Sequence, residues 1–297
     1  MEPQLRTILF VPGDRPSRIV NALSCGAEAV AVDLEDAVAE SVKGEARETA
    51  VSVLSDADTS MATLMVRVNG VRTPHMTDDV AALSTLLAHL DAVILPMAES
   101  ADDVAHLSEL LSSAEVEAGV EIGSTRVVAT TETAAGVLAA REIAAASDRV
   151  LTLLFGSADL SNELGVEPTP DGGELATARS MVVLATAAAH LRKPVDGPYL
   201  VLDDETGLEE STRTARRLGF GGKAVIHPAQ LATVGKTFAP SPRELAWARR
   251  VDDAFTDAER AGRSAVRLDD GTFIDYPVAH RARALLRSVL AEGGTTP

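Results

Sequence analysis

Ala29-Val-Ala-Val-Asp33-Leu34-Glu35-Asp36 is an apolar run that closes on three carboxylates. The pattern recurs. Leu64-Met-Val-Arg67-Val-Asn69 closes on a guanidinium and an amide, Val127-Val-Ala-Thr-Thr-Glu132 on a carboxylate, and Leu151-Thr-Leu-Leu-Phe-Gly-Ser-Ala-Asp159 on another. In a barrel of parallel strands these C-terminal ends all open onto one rim, where the βα loops build active sites. The repetition therefore points to an enzyme with an acidic, metal-binding mouth.

Outward from these runs, β-like segments at 7–11, 29–34, 63–68, 92–96, 126–130, 150–155, 198–202 and 223–226 alternate with helical patterns at 17–24, 43–54, 78–87, 101–111, 133–146, 174–191 and 208–218. Eight strands with intervening helices spell an α/β fold, a TIM (β/α)8 barrel. The rival open, doubly wound sheet lacks a G-x-G-x-x-G after the first strand. Pro12-Gly13-Asp14 makes the first rim turn, Ser17 is the expected cap of the next helix, and 165–173 reads as a long rim loop. The pattern stops at Phe238, which sets a barrel domain over 1–238 and a C-terminal extension over 239–297. Ser241-Pro-Arg-Glu244 opens a helix with a capping box, Asp269-Asp270-Gly271 marks a hairpin, and 281–290 is a last amphipathic helix. The extension carries little apolar surface and is expected to pack on its own barrel or on a neighbouring subunit.

Composition narrows the function. With 44 acidic and 27 basic residues the formal charge is −17, a field that repels nucleic acid and anionic membranes. An anionic substrate must then be met by local Arg, Lys, backbone N–H groups or a bound cation. Aromatic residues make up only 3%, so the core has to come from Ala, Val and Leu. The single cysteine, Cys25, excludes an intramolecular disulfide and reads as a buried structural thiol. The N-terminal residues lack the pattern of a signal peptide and no apolar run is long enough to span a membrane, so a soluble cytoplasmic protein is expected.

ILFVPGDRPSR, AVAVDLEDAV, VRVNG, ILPMAES, TETAAGVLAAREIA, LLFGSADLSNELG, GLEESTRTARRLGFGGKAVIHPAQ and SPRELAWARRV, in this order, resemble the citrate lyase β-subunit branch of the HpcH/HpaI aldolase and citrate lyase family. The resemblance covers about residues 6 to 288. It implies a TIM barrel with a C-terminal extension, assembled as a homotrimer or hexamer. It also implies cleavage or formation of the C–C bond of a β-hydroxyacyl-CoA thioester such as citryl-, malyl- or citramalyl-CoA. The implied cofactor is Mg2+ (or Mn2+), with CoA as part of the substrate, and citrate lyase-type partner subunits are possible.

Residue chemistry fits that implication. C–C cleavage leaves an enolate on one fragment and a new ketone on the other, so the site must stabilise an oxyanion and move a proton. A hard cation on one or two carboxylates suits an α-hydroxy or α-keto acid; Glu132 and Asp159, ending adjacent strands, are the expected ligands. Arg67 is expected to bind substrate and stabilise the oxyanion, a role compatible with pairing to Asp33 or Asp36. Asp36 and Glu35 are expected to orient Arg67 or the waters of the metal. The resemblance places Arg15 near the acyl-CoA or the substrate carboxylate. Lys223 and His227, at the eighth strand, are expected to line the CoA channel, the alternative for His227 being a structural hydrogen bond. Asp275 alone would read as a turn residue, but the resemblance implies that it reaches an adjacent subunit's site as acid or base.

Three departures stand out. Met97 replaces the lysine common in PKAES, Ala135 the arginine of ETARG, and Ala158 the glutamate of GAEDL. Charge is thus removed close to the expected metal, which leaves room for a changed acyl group, for malyl-CoA-type thioester hydrolysis, or for a non-catalytic barrel subunit.

Overall fold

The computed structural model describes residues 5–59, 61–169 and 172–290. Eight parallel strands close into one ring in chain order: β1 (Thr7–Pro12), β2 (Ala29–Asp33), β3 (Thr63–Arg67), β4 (Ala92–Leu95), β5 (Arg126–Thr131), β6 (Val150–Phe155), β7 (Val195–Asp196) and β8 (Gly222–Val225). Strands covered on both faces read as unbroken apolar runs, and every residue of β2 and β4 is buried. Alternation then divides them. Ile8, Ala29, Ala31, Met65, Ala92, Ile94, Val128 and Leu154 fill the barrel interior. Val30, Val32, Leu64, Val66, Val93 and Val127 pack outward under the helices.

The outer layer is α1 (Pro16–Ser24), α2 (Lys43–Asp56), α3 (Met76–Leu83), α4 (Ala101–Ala118), α5 (Ala134–Leu138), α6 (Ala140–Ala144), α7 (Ser157–Leu164), α8 (Ala176–Ala188), α9 (Glu205–Leu218) and α10 (Leu231–Phe238). Ser100 and Asp103 form the capping box that starts α4, and Gly119, at φ 69°, ends it in the left-handed conformation that a Cβ disfavours.

Three expectations are corrected. The seventh strand is not 198–202 but the two-residue β7, because Pro194 and Pro198 bracket it and Leu200, Val201 and Leu202 stand exposed on the rim. Ser17 does not cap α1: the cap is Arg15, with Pro16 pre-set at the first helical position. The single helix expected over 133–146 is two short ones, α5 and α6, joined at Ala139.

At the start of β6, Arg149 forms a two-pronged pair with the fully buried Glu115, whose carboxylate also accepts from the N–H groups of Gly123 (2.8 Å) and Thr125 (3.0 Å). Burial alone would raise this carboxyl, but the Arg149 and backbone hydrogen bonds outweigh it and pull its pKa down to about 2. A depressed carboxyl stabilises the fold above its unfolded pKa and loses that contribution as pH falls toward 2. Glu115→Gln is therefore expected to cost about 3 kcal/mol at pH 7. It should also flatten the acid limb of a urea-stability profile between pH 4.5 and 2; an unchanged limb would refute the assignment.

Among the described residues, those up to Phe238 form one compact unit and those from Ala239 onward form the other. The second unit holds α11 (Pro242–Arg260), the hairpin of β9 (Val266–Arg267) and β10 (Phe273–Ile274), and α12 (Tyr276–Leu290). Ser241 and Glu244 make the expected capping box. Ala248, Val251, Phe255, Ile274, Ala279 and Ala282 form its own apolar cluster. Among the described residues no helix is long and apolar enough to cross a membrane.

Candidate active site

Strand parity aims the mouth residues inward. Ala29, Ala31 and Asp33 share the interior face of β2, as Met65 and Arg67 share that of β3, and the register sets Asp33 directly beside Arg67. The Arg67 guanidinium donates to both oxygens of Asp33, at 2.7 and 2.6 Å, and its third nitrogen lies 2.8 Å from Glu35 Oε2 and 3.7 Å from Asp36 Oδ2. It also lies over the Phe10 ring, 5.2 Å from the centroid. Burial would favour the neutral base, but Asp33, Glu35 and Asp36 outweigh it and hold Arg67 firmly cationic. Asp33 is itself fixed by the N–H groups of Glu35 and Ala37. The buried Lys43 ammonium donates to the carbonyls of Leu34 and Glu35, which ties the acidic loop after β2 to the start of α2.

Across the mouth Glu132 continues the inward parity of Val128 on β5. It is 4% exposed, and its Oε1 accepts the Met97 N–H at 2.7 Å. Gly156, just past β6, runs hard against this side chain: a Cβ built there would stand 2.5 Å from Glu132 Oε2. Asp159 is exposed in the first turn of α7 rather than at a strand end. Burial raises the Glu132 carboxyl to about 7, reinforced by the negative charge of Asp159 and Asp36 against the opposing Met97 hydrogen bond and Arg67. Burial likewise raises Glu35 to about 8, against Arg67 and with Asp36, Glu132 and Asp33 adding to the rise.

The mouth thus holds more negative charge than Arg67 neutralises. Glu35 Oε2 is buried and receives no hydrogen bond, its approach to Arg67 being a close ion pair with poor hydrogen-bond geometry. Among the described residues no cation pairs with Glu132, and no three His, Cys, Asp or Glu side chains converge into a ready-made cage. A hard divalent cation fits such a place: Mg2+ is commonly held by one or two carboxylates, with water and substrate oxygens filling the rest. The negative charge of Asp159 adds to the rise of the Glu132 carboxyl, and a cation held beside the two would relieve that repulsion.

The family model for HpcH/HpaI aldolase/citrate lyase matches residues 6–228. The chain belongs to this family. Citrate lyase subunit beta of Leuconostoc mesenteroides subsp. cremoris is 35% identical over 95% of this chain and 92% of its own length. A (3S)-malyl-CoA thioesterase of Cereibacter sphaeroides is 37% identical over 91% and 89%. Among solved structures, CitE of Mycobacterium tuberculosis in complex with magnesium, acetoacetate and coenzyme A superposes with a TM-score of 0.77 at 34% identity, covering 96% of this chain and 97% of that one.

Within this HpcH/HpaI barrel the remaining expected residues separate. Arg15 is exposed on the rim after β1, with Asp14 at 3.4 Å. His227 is exposed after β8, and its Nδ1 accepts the Ala229 N–H at 3.2 Å, so it caps the short turn that follows. Lys223 is a correction. It was expected to line the CoA channel, but alternation along β8 turns it to the outer face with Val225. There it is buried, with its ammonium on Asp196 of β7, whose other oxygen takes Arg179 of α8 at 2.9 Å. Lys223→Met should therefore destabilise the fold by about 3 kcal/mol and leave KM for an acyl-CoA within about twofold. A large KM rise with unchanged melting would restore the original expectation.

Asn69, another polar terminus of an apolar run, is buried and structural: its amide donates to Leu34 O and to Asp79. Cys25 is exposed, not buried. Asp275 lies in the other unit, where its Oδ1 accepts the Val278 N–H and caps α12. Sequence reasoning missed the importance of Gly156 and of the Met97 backbone. Gly156 was in the quoted LLFGSADL run, but nothing in a one-dimensional pattern shows which side chain its backbone will meet.

Proposed function

We propose that the chain is a Mg2+-dependent carbon–carbon lyase acting on a β-hydroxyacyl-CoA thioester of the citryl-, malyl- or citramalyl-CoA class, yielding an acyl-CoA and a keto acid. The observation that carries this reading is the buried, cation-free Glu132 within electrostatic reach of an Arg67 that Asp33 locks in place. When bound, the cation supplies positive charge beside the oxygens of the α-hydroxy or α-keto acid. Glu132 and Asp159 would hold it. Arg67, oriented by Asp33, Glu35 and Asp36, offers N–H groups to the thioester oxygen. Loss of the hydroxyl proton forms the ketone, the C–C pair moves into the thioester enolate, and a proton added at carbon completes the acyl-CoA.

Asp275 of a neighbouring copy is the group proposed to move that proton, which makes a homotrimer or hexamer part of the reading. Arg15 and His227 border the path of the CoA and of the substrate carboxylate. A cytoplasmic location belongs to the same reading. The 37% identity to a (3S)-malyl-CoA thioesterase favours one alternative, in which the same groups direct water at the thioester carbonyl.

The test is incubation of the purified protein with Mg2+ and malyl-, citramalyl- and citryl-CoA, with every product identified by mass spectrometry. Acetyl-CoA plus a keto acid is expected. Free CoA plus an intact hydroxy acid would replace the lyase by the thioesterase, and an unchanged panel would overturn both.

A further inference from the structure

We infer that Arg72, an exposed arginine on the loop after β3, is a positioning residue that sets the Glu132 carboxylate for its cation by gripping the backbone of Met97. The inference rests on the reading of Glu132 as a metal ligand.

Met97 has φ 51°, in the left-handed region that a side chain with a Cβ disfavours. In that conformation its two backbone groups serve opposite sides of the loop after β4. The N–H donates inward to Glu132 Oε1 at 2.7 Å, and the carbonyl accepts from Arg72 Nη1 at 3.3 Å. The next residue is anchored as well, Ala98 N–H donating to Thr130 O at 3.1 Å. Arg72 is held in turn by Glu99 at 2.9 Å and Asp103 at 3.3 Å. Asp103 also accepts the N–H groups of Glu99 and Ser100, so the same carboxylate fixes both the loop and the guanidinium. A continuous chain of contacts leads from α4 through Arg72 and the strained peptide to one oxygen of Glu132. Its other oxygen is confined by the Gly156 backbone.

Ordinary surface ion pairs contribute little to stability, so Arg72 would pass as a solvated rim charge. What separates it is the carbonyl it grips. Without that bond Met97 is free to leave the left-handed region, and its N–H leaves Glu132 with it. Groups that orient a metal ligand commonly change metal affinity by 10- to 100-fold when removed.

The sign of the effect discriminates. Arg72 is a cation near a cation site, so removing its charge alone strengthens Mg2+ binding; losing the alignment weakens it. Full-length wild type, Arg72→Ala and Arg72→Lys are compared by calorimetric Mg2+ titration, and by hydrogen exchange of the 96–100 segment in the metal-free proteins. The expected result for Arg72→Ala is about tenfold weaker Mg2+ binding with faster exchange in that segment, both partly rescued in Arg72→Lys. Unchanged or tighter Mg2+ binding by Arg72→Ala, or unchanged exchange, overturns the inference. A wild type that takes up no Mg2+ overturns the metal reading itself, and the exchange comparison then decides the positioning role separately.

Discussion

Glu132→Gln is expected to lower turnover on the acyl-CoA substrate by on the order of 10³-fold, about 4 kcal/mol of transition-state stabilisation, while making the metal-free protein more stable. The two effects have one origin. A carboxylate 4% exposed that no cation pairs with among the described residues is costly in its charged form, and on the reading proposed above a bound metal would offset that cost. Its folded pKa, about 7, lies above the ordinary value of 4.5. A raised carboxyl leaves stability intact below the unfolded pKa and erodes it as pH rises through the folded one. Metal-free wild type should thus lose up to about 3 kcal/mol between pH 4.5 and 8 on this account, and Glu132→Gln should lack that slope. The amide oxygen still accepts from Met97, so the loop after β4 keeps its shape. Urea unfolding in chelator across this range, beside turnover with Mg2+, checks both halves. Undiminished turnover together with an unchanged pH slope would remove Glu132 from the mechanism.

Gly156→Ala is the second large effect. The added methyl would stand 2.5 Å from Glu132 Oε2 and also overlap the Cβ, so either the end of β6 or the Glu132 side chain must move. Overpacking of this kind costs about 1–3 kcal/mol. A displacement near 1 Å of a group that positions a reactant costs roughly 10²-fold in rate. The expected variant folds, melts lower and turns over about 10²-fold more slowly, with Mg2+ binding weakened. Full activity would mean that Glu132 can shift without consequence, which the ligand assignment does not allow.

Much of this was legible in the sequence, for identifiable reasons. Seven strands could be placed because residues buried on both faces write apolar runs such as Ala29-Val-Ala-Val, and inward parity carried Asp33, Arg67 and Glu132 to one rim. The seventh strand was misplaced because the two-residue β7 has no run to write, while the exposed Leu200-Val201-Leu202 imitates one. Lys223 was misassigned because proximity to a rim motif says nothing about which face a strand residue takes; the neighbouring Val225, packed outward, carried that information. Met97 could be seen as a missing charge, yet its role here comes from a backbone angle and an N–H that belong to every residue type.

The short β7 also bears on how the barrel stays closed. It meets β6 through one register pair and β8 through two, so the ring is thinnest at this joint. Parting there would turn an edgeless cylinder into an open sheet with two raw margins, each ready to pair with another chain. On the other flank of β7, Asp196 faces Lys223 of β8, with Arg179 reaching in from α8. A half-opened seam would strand these charges in an apolar layer. The ionic trio thus acts as a clasp on the β7–β8 side of the short strand, where parting the strands would carry a charge penalty beyond the few backbone bonds lost.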